Sequence, residues 1–265
     1  MSQPKETTQH TLIVAFVLCI VCSVIVAGAA VSLKPAQQSN KTLDRQMNIL
    51  AAAGLTSGPM SKSEIEAEFA RFDVKLVDLN SGEYTDGSDY GVAASSYEQI
   101  KAARDPQMSV NLDKETDIAS IGRREHLSQV YILEENGTIE RIVLPIRGYG
   151  LWSTLYGYLV LEGDGNTVAG LAYYDQKETP GLGGEVDNPK WKAMWPGKKV
   201  YDENGNVAAG LKKGGVEPNS PDAKYMVDAL SGATLTSNGV TNMLHFWLGE
   251  NGYGPYLSKI RGGQA

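Results

Sequence analysis

The longest apolar run of the chain lies near its start. Residues 11–33 hold 23 consecutive uncharged positions between His10 and Lys34. About 20 apolar residues are enough for a helix to cross a bilayer. The pattern therefore predicts one transmembrane helix over 11–33, after a short tail of residues 1–10. A cleaved signal peptide is the alternative, but this run is longer than the roughly 7 to 15 residues of a usual signal core.

Two stretches with helical periodicity follow the apolar run. Apolar residues recur at helical spacing from Leu43 to Leu50, and this stripe ends at Gly54. Ser61 with Glu64 three positions later fits a capping box, which predicts the start of a second helix. We interpret residues 34–125 as a stalk and the N-terminal part of the soluble domain.

The middle of the chain changes to the pattern of β-strands. Three pairs of apolar segments each flank a turn rich in Asn, Asp and Gly, at 135–137, 163–166 and 202–206. Asn-Gly and Asp-Gly turns tolerate the positive φ angles that tight hairpins require. The sequence therefore predicts three hairpins and an antiparallel sheet.

A last helix is predicted near the end of the chain. Apolar residues repeat on one helical face at Val240, Met243, Leu244, Trp247 and Leu248. Thr236, Ser237 and Asn238 are capping candidates before it, and the glycines from Gly249 onward end it. The predicted fold class is α+β: an antiparallel sheet built from hairpins with packed helices, preceded by one N-terminal transmembrane helix.

Composition and charge exclude several classes of function. The 265 residues include 24 basic and 31 acidic side chains, for a net charge of −7. This balance, without a Lys/Arg cluster, argues against a nucleic-acid partner. Cys19 and Cys22 both lie in the apolar run, so the soluble part has no disulfide and no thiolate metal site. No arrangement of His, Cys and carboxylates predicts a metal centre or a catalytic triad, so no metal ligand and no catalytic residue is assigned.

A segment rich in hydroxyl groups stands directly before the last helix, at 228–237. A helix N-terminus presents unpaired N–H groups and a partial positive charge, which suit a phosphate. Gly232 and Ala233 leave the approach to Thr234 open, so its hydroxyl is accessible to a modifying enzyme. The plainer interpretation is that Ser231, Thr234 and the hydroxyls after them only cap the helix.

The segment Asp228-Ala-Leu-Ser-Gly-Ala-Thr234 resembles the D-x-x-(S/T)-G-A-T acceptor motif. On that motif a flavin transferase esterifies FMN, through its phosphate, to the final threonine. Together with the single N-terminal membrane helix, the segments 148–154 and 178–183 are similar to the pattern of the C subunits of the Na+-translocating NADH:quinone oxidoreductases. The resemblance covers essentially the whole chain.

This resemblance implies a membrane-anchored electron carrier. FMN would be bound covalently at Thr234 in an FMN-binding domain over 126–265, on the periplasmic face of the bacterial inner membrane, with the tail of residues 1–10 in the cytoplasm. The protein would relay electrons from NADH toward ubiquinone, coupled to sodium export, and would not be active alone. Its partners would be the B, D and E subunits, with A and F in the same complex, and a flavin transferase for maturation.

Noncovalent contacts with the flavin are expected from two loops and from the acceptor motif. In the loop 178–183, Leu182 would lie against a ring face and Thr179 or a backbone N–H would offer a hydrogen bond; a plain Pro-Gly turn is the alternative. In the segment 151–153, Trp152 fits a ring contact and a core position equally well. The candidate residues beside Thr234 are Asp228, Ser231, Gly232, Ala233, Glu178, Thr179, Gly181, Leu182, Gly183, Leu151, Trp152 and Ser153.

Two other functions remain open at this point. The G subunit of the Rnf-type ferredoxin:NAD+ oxidoreductase complex shares the anchor and the acceptor motif, although the Leu-Trp-Ser-Thr segment at 151–154 and the long N-terminal region favour the C subunits. The other is a membrane-anchored, non-redox binding module whose Thr-rich turn is only a helix cap. A bound flavin would separate that module from both redox proteins.

Overall fold

The computed structural model describes residues 7–56 and 58–263, which form ten strands and six α-helices. The chain divides into two compact units, Met1–Arg45 and Gln46–Ala265. The helices are α1 (Thr8–Ala52), α2 (Lys62–Phe69), α3 (Gln99–Arg104), α4 (Pro189–Lys192), α5 (Thr234–Leu248) and α6 (Gly254–Arg261). The strands are β1 (Phe72–Asp78), β2 (Tyr84–Thr85), β3 (Ser109–Asn111), β4 (Arg123–Glu125), β5 (Leu127–Glu135), β6 (Thr138–Tyr149), β7 (Thr154–Glu162), β8 (Val168–Asp175), β9 (Gly210–Lys212) and β10 (Met226–Asp228).

Helix α1 contains the apolar run and continues beyond it. It passes through Pro35 without a break, so the apolar span 11–33 and the predicted stalk helix form one element. Its length and composition are sufficient to cross a membrane, and its most apolar window is not buried at all. Near its end Ile49 and Leu50 are fully buried, and the chain then turns at Gly54 with a positive φ of 72°.

Six strands form one antiparallel sheet in the order β2-β1-β5-β6-β7-β8. Two of the predicted hairpins, β5–β6 and β7–β8, are confirmed. Asn136 and Gly137 make the first turn with φ angles of 53° and 76°, which is the backbone conformation that Asn-Gly favours. Strand β1 pairs with β5 along its whole length, so segments 34–125 and 126–265 contribute to the same sheet.

The two faces of the sheet are covered by different parts of the second unit. On one face Ile132, Leu144 and Leu159 pack with α5 and α6 in the main hydrophobic core. On the other face, the ring centroid of Phe69 in α2 lies 5.9 Å from that of Tyr131 in β5. The sheet is therefore buried on both sides, and α5 lies on the core side.

The third predicted hairpin forms only next to its turn and does not continue as a ladder. Residues 199–201 and 207–211 are joined by a single antiparallel bridge between Tyr201 and Val207, and β9 pairs in parallel with β10. The reason is that the carbonyl of Val200 accepts hydrogen bonds from two consecutive N–H groups, those of residues 208 and 209, which ends the ladder. The N–H of Leu211 then bonds to the hydroxyl of Thr241 in α5.

The helix ends partly follow the sequence signals. The capping box of α2 is confirmed, because Ser61 accepts a hydrogen bond from the N–H of Glu64 and the Glu64 carboxylate accepts one from the N–H of Ser61. The capping candidates of the last helix, at 236–238, are wrong: α5 begins earlier, at Thr234, and they lie inside it. The predicted end at Gly249 is confirmed.

Candidate functional site

Three loops of the second unit come together where β6 ends and α5 begins. They are the β6–β7 loop at 150–153, the loop 178–183 that follows β8, and the turn 229–233 that leads into α5. The second and third are adjacent, since a Cβ on Gly232 would lie 3.0 Å from Cδ2 of Leu182. These loops contain most of the residues that the sequence predicts for the site.

The carboxylate of Glu178 joins these loops to α5. Its Oε1 atom accepts three backbone hydrogen bonds, from Leu151 at 3.1 Å, Trp152 at 2.9 Å and Ser153 at 3.1 Å. Its Oε2 atom accepts a hydrogen bond of 2.8 Å from the hydroxyl of Thr236 in the first turn of α5. Four donors of the protein therefore surround the side chain that the sequence assigns to flavin contact.

Glu178 is only 5% exposed, yet its pKa lies below its ordinary value. Burial raises the pKa of this carboxyl, but its four hydrogen bonds together lower it by more, with those from the N–H of Trp152 and the hydroxyl of Thr236 contributing most. The sequence does not predict the role of Thr236. This residue is the third of α5 and is fully buried, which becomes evident only when the start of the helix is known.

Glycines let the loops approach this carboxylate closely. A Cβ on Gly183 would lie 2.6 Å from both Oε2 of Glu178 and the hydroxyl oxygen of Thr236, and a Cβ on Gly150 would lie 2.7 Å from Oε1. Real Cβ atoms do not approach oxygens that closely. Gly181 has a φ of 77°, which favours glycine for a different reason, the turn of the loop itself.

The threonine that the sequence predicts as the flavin acceptor is at the very start of α5. Thr234 is the first residue of the helix and is exposed. The preceding Ala233 is buried and makes no side-chain capping bond, so no cap from that position occupies the N–H groups of the first turn. Gly232, with a φ of 72°, and Ser231 form the exposed turn before it. A helix N-terminus of this kind suits an anion such as a phosphate.

Two other polar residues of the segment 228–237 have structural partners. Ser237 is buried; its hydroxyl donates to the carbonyl of Ala233 at 2.9 Å and accepts from the N–H of Leu230 at 3.0 Å. Oδ1 of Asp228 accepts from the N–H of Val216 at 2.7 Å, so this carboxylate holds the turn at 214–216. Asp228, the last residue of β10, thus has a structural partner outside the motif.

A model of the FMN-binding domain matches residues 150–249, which include all three loops and α5. The C subunit of the Na(+)-translocating NADH-quinone reductase of Pseudomonas aeruginosa is 53% identical over 262 residues, covering 98% of this chain and 99% of the relative. This chain belongs to that C-subunit family. The corresponding protein of Yersinia pestis is 48% identical, covering 98% of this chain and 95% of its own.

Solved structures of this family share the fold. Shewanella oneidensis NqrC superposes with a TM-score of 0.74 at 32% identity, covering 86% of this chain and 99% of that one. The C subunit of the Na(+)-translocating NADH-quinone reductase from Parabacteroides distasonis gives a TM-score of 0.62 at 28% identity, covering 85% and 97%. The predicted α+β class with an N-terminal apolar helix is confirmed. The chain is a subunit of a membrane-bound, Na+-translocating NADH-quinone reductase and contains an FMN-binding domain.

Exposed apolar side chains distinguish this end of the second unit. Trp152 is 67% exposed, which excludes the core position that the sequence left open, and Leu182 is 43% exposed. Leu151 is also exposed, as is Leu235 beside the acceptor. Such side chains offer a surface for a flat aromatic ring.

The polar groups of the two flanking loops are largely used within the protein. The hydroxyl of Ser153 accepts from the N–H of Lys177 at 2.8 Å. The carbonyl of Thr179 accepts from the N–H groups of Leu182 and Gly184, so a tight turn is present at this loop. The Thr179 side chain is exposed beside it. The loop is therefore both a Pro-Gly turn and a support for Leu182.

Proposed function

We propose that this protein carries FMN covalently, through an ester between the FMN phosphate and the hydroxyl oxygen of Thr234. In this function it relays electrons from NADH toward ubiquinone within the Na+-translocating complex, coupled to sodium export. The observation that carries the proposal is the position of Thr234: exposed, first in α5, and last in the motif that resembles the flavin acceptor.

The N-terminus of α5 fits the phosphate of such an ester. A phosphodiester keeps one negative charge, and the N–H groups and dipole of the first helical turn stabilise charge at that place. The hydroxyls of Thr236 and Ser237 are buried and bonded to Glu178 and Ala233, so they do not compete as acceptors. Among the hydroxyls of 231–237, only those of Ser231 and Thr234 are exposed.

The flanking loops fit the isoalloxazine ring. When bound, FMN supplies the electron-transfer chemistry, and the protein supplies position and electrostatics. Trp152 and Leu182 offer apolar contact from two loops that Glu178 holds in place. A covalent bond prevents loss of FMN from a site this open while it leaves the ring accessible to a redox partner.

The membrane arrangement and the partners are part of the same proposal. The apolar span of α1 crosses the inner membrane and the second unit is periplasmic, in contact with the B, D and E subunits of a complex that also includes A and F. A flavin transferase attaches the FMN. The length and apolarity of α1 and membership in the C-subunit family support this arrangement.

The two alternative functions are disfavoured. The identity to the C subunits over nearly the whole chain disfavours the G subunit of the Rnf type, and the FMN-binding domain disfavours a non-redox module.

Mass spectrometry of acceptor variants tests the covalent bond. The full chain, produced with a flavin transferase, should carry one FMN on the peptide that contains Thr234. Thr234→Val keeps the branched shape but lacks the hydroxyl, so we expect complete loss of in-gel flavin fluorescence with an unchanged circular dichroism spectrum. Thr234→Ser should be flavinylated poorly or not at all if the transferase reads the whole motif.

Ser231→Thr is the matched control, because it changes the other exposed hydroxyl residue of the turn but keeps both the hydroxyl and the residue types that the motif accepts. It should keep most of its flavin. Full fluorescence of Thr234→Val would contradict the assignment and direct attention to Ser231. Absence of FMN from the wild-type chain despite an active transferase would contradict the proposed function as a whole.

A further inference from the structure

Glu178 is a buried negative charge that has no cationic partner in the part of the chain that the structure describes. Its four hydrogen-bond donors, three backbone N–H groups and one hydroxyl, are all neutral. None of the ion pairs within 4.0 Å among the described residues includes it. By contrast, the equally buried Glu125 is paired with Arg147 at 2.5 Å. The charge of Glu178 is therefore solvated by dipoles but not neutralised.

This charge lies directly behind the groups that face the proposed flavin. Oε1 contacts the backbone of the loop that presents Trp152, and Oε2 contacts Thr236, two residues after Thr234. The loop of Glu178 itself presents Leu182, which lies against Gly232 of the acceptor turn. The loop 150–153 and the first turn of α5 are thus bonded to one carboxylate, and the loop of that carboxylate contacts the turn before Thr234.

We propose that the charge of Glu178 lowers the reduction potential of the flavin bound at Thr234. The inference rests on the proposed function. Reduction places additional electron density on the ring, and a fixed anion nearby makes that addition less favourable. Because Glu178 is almost fully buried, water screens its charge only weakly, so the interaction extends over a longer distance than it would at the surface.

A purely structural role is the competing explanation, since the same carboxylate holds the loops together. Glu178→Gln separates the two. The amide oxygen can still accept the three backbone hydrogen bonds, and the amide nitrogen can donate to the hydroxyl of Thr236, which reorients to accept it. The variant therefore keeps the connections of the site and removes only the charge.

The test is a potentiometric titration of flavin absorbance in the full chain, in detergent, after flavinylation by the transferase. We expect Glu178→Gln to contain normal amounts of FMN and to show an upward shift of the midpoint potential. Glu203→Gln, which removes an exposed carboxylate from the turn at 202–206, changes the net charge equally and should show no shift.

A second variant predicts a shift in the opposite direction. Thr236→Val removes one dipole that offsets the charge of Glu178, so the midpoint potential should fall. A structural role alone gives no reason for shifts of opposite sign in two variants of one hydrogen bond. If Glu178→Gln does not fold, Thr236→Val decides: a downward shift supports the inference, and an unchanged potential overturns it.

The outcome also separates this inference from the proposed function. If Glu178→Gln carries FMN with an unchanged midpoint potential, the electrostatic role of Glu178 is wrong while covalent flavin at Thr234 stands. If the wild-type chain carries no FMN, the proposed function is wrong and this inference falls with it.

Discussion

Neighbouring hydroxyl groups at the start of α5 have different environments. Thr234 is exposed, whereas Thr236 and Ser237 are buried and hydrogen-bonded to Glu178 and Ala233. The helix sets this pattern, because successive residues turn by about 100° around its axis and so alternate between solvent and core. One residue is thereby available for modification while its neighbours hold the site together.

At the same scale, Glu178 is expected to make the stability of the folded chain depend on pH. Its pKa is lowered in the folded state from the ordinary value of 4.5. A lowered pKa means that the ionised form stabilises the fold above that ordinary value, and that the contribution is lost as pH falls through the folded-state pKa. Glu178→Gln lacks this contribution at every pH.

Urea unfolding of both proteins at several pH values measures the effect. Near neutral pH we expect the wild type to be more stable than Glu178→Gln by about 1.5–3 kcal/mol, the range for hydrogen bonds to charged groups. The difference should shrink as pH falls well below 4.5. The other carboxylates titrate in the same way in both proteins, so their contributions cancel in the difference between the two free energies of unfolding. A difference independent of pH would contradict the proposed ionised state.

At the scale of elements, α5 lies unusually close to the end of β6. A Cβ on Gly239 would collide with the backbone carbonyl oxygen of Tyr149, and a Cβ on Gly148 would lie 2.6 Å from Cβ of Met243. Each side of this contact therefore has a glycine, Gly239 on the helix and Gly148 on the strand. The close approach brings the start of α5 next to the loop at 150–153.

Gly239→Ala should destabilise the protein for this reason. Alanine normally stabilises a helix by roughly 0.5–1 kcal/mol relative to glycine, but here its Cβ would meet the carbonyl of Tyr149. Overpacking costs typically about 1–3 kcal/mol, so we expect a net loss in the free energy of unfolding by urea. Asn238→Ala, at the exposed preceding position, is the control and should be neutral or stabilising. Stabilisation by Gly239→Ala would show that α5 is free to move away.

Local sequence signals account for much of the fold. The Asn136-Gly137 turn and the capping box at Ser61 depend only on residues within a few positions, and both were predictable. The third hairpin ends after one bridge, and the segment after it is held by a distant residue, because the N–H of Leu211 bonds to Thr241, 30 residues away. Local turn chemistry correctly predicts that the chain reverses at 202–206, but it does not predict that the segment after the turn pairs with β10.

The candidate site is predictable to a smaller extent. The motif ending at Thr234 and the loop at 178–183 can be found in the sequence, because their residue types are distinctive. The hydrogen bond from Thr236 to Glu178 cannot, since it joins side chains 58 positions apart. To distinguish the exposed hydroxyl of Thr234, the proposed acceptor, from the buried hydroxyl of Thr236, one must know where α5 begins. The apolar stripe alone predicts this start too late.

At the scale of the whole chain, the division between the two units falls within α1. The first unit ends at Arg45, and the large apolar side chains from Leu12 to Leu33 are exposed along the helix. Ile49 and Leu50, only a few residues after Arg45, are fully buried within the second unit. The carbonyl of Ala52 lies close against Gly170 of β8. The last turns of α1, from Gln46 onward, are thus part of the second unit.

Two truncations test this division. A fragment that starts at Gln46 keeps all of these contacts, so we expect it to remain in aqueous buffer without detergent and to unfold cooperatively. A fragment that starts at Leu55 exposes the surface that Ile49 and Leu50 cover. Removing a buried Ile or Leu side chain costs about 2–5 kcal/mol, so this fragment should be less stable by at least that amount.

The 46–265 fragment with both Ile49→Ala and Leu50→Ala is the control. It should unfold at nearly the same urea concentration as the shorter fragment, because the apolar side chains rather than the backbone of the helix provide the stabilisation. Equal stability of the fragments starting at 46 and 55 would mean that the end of α1 belongs with the membrane segment instead.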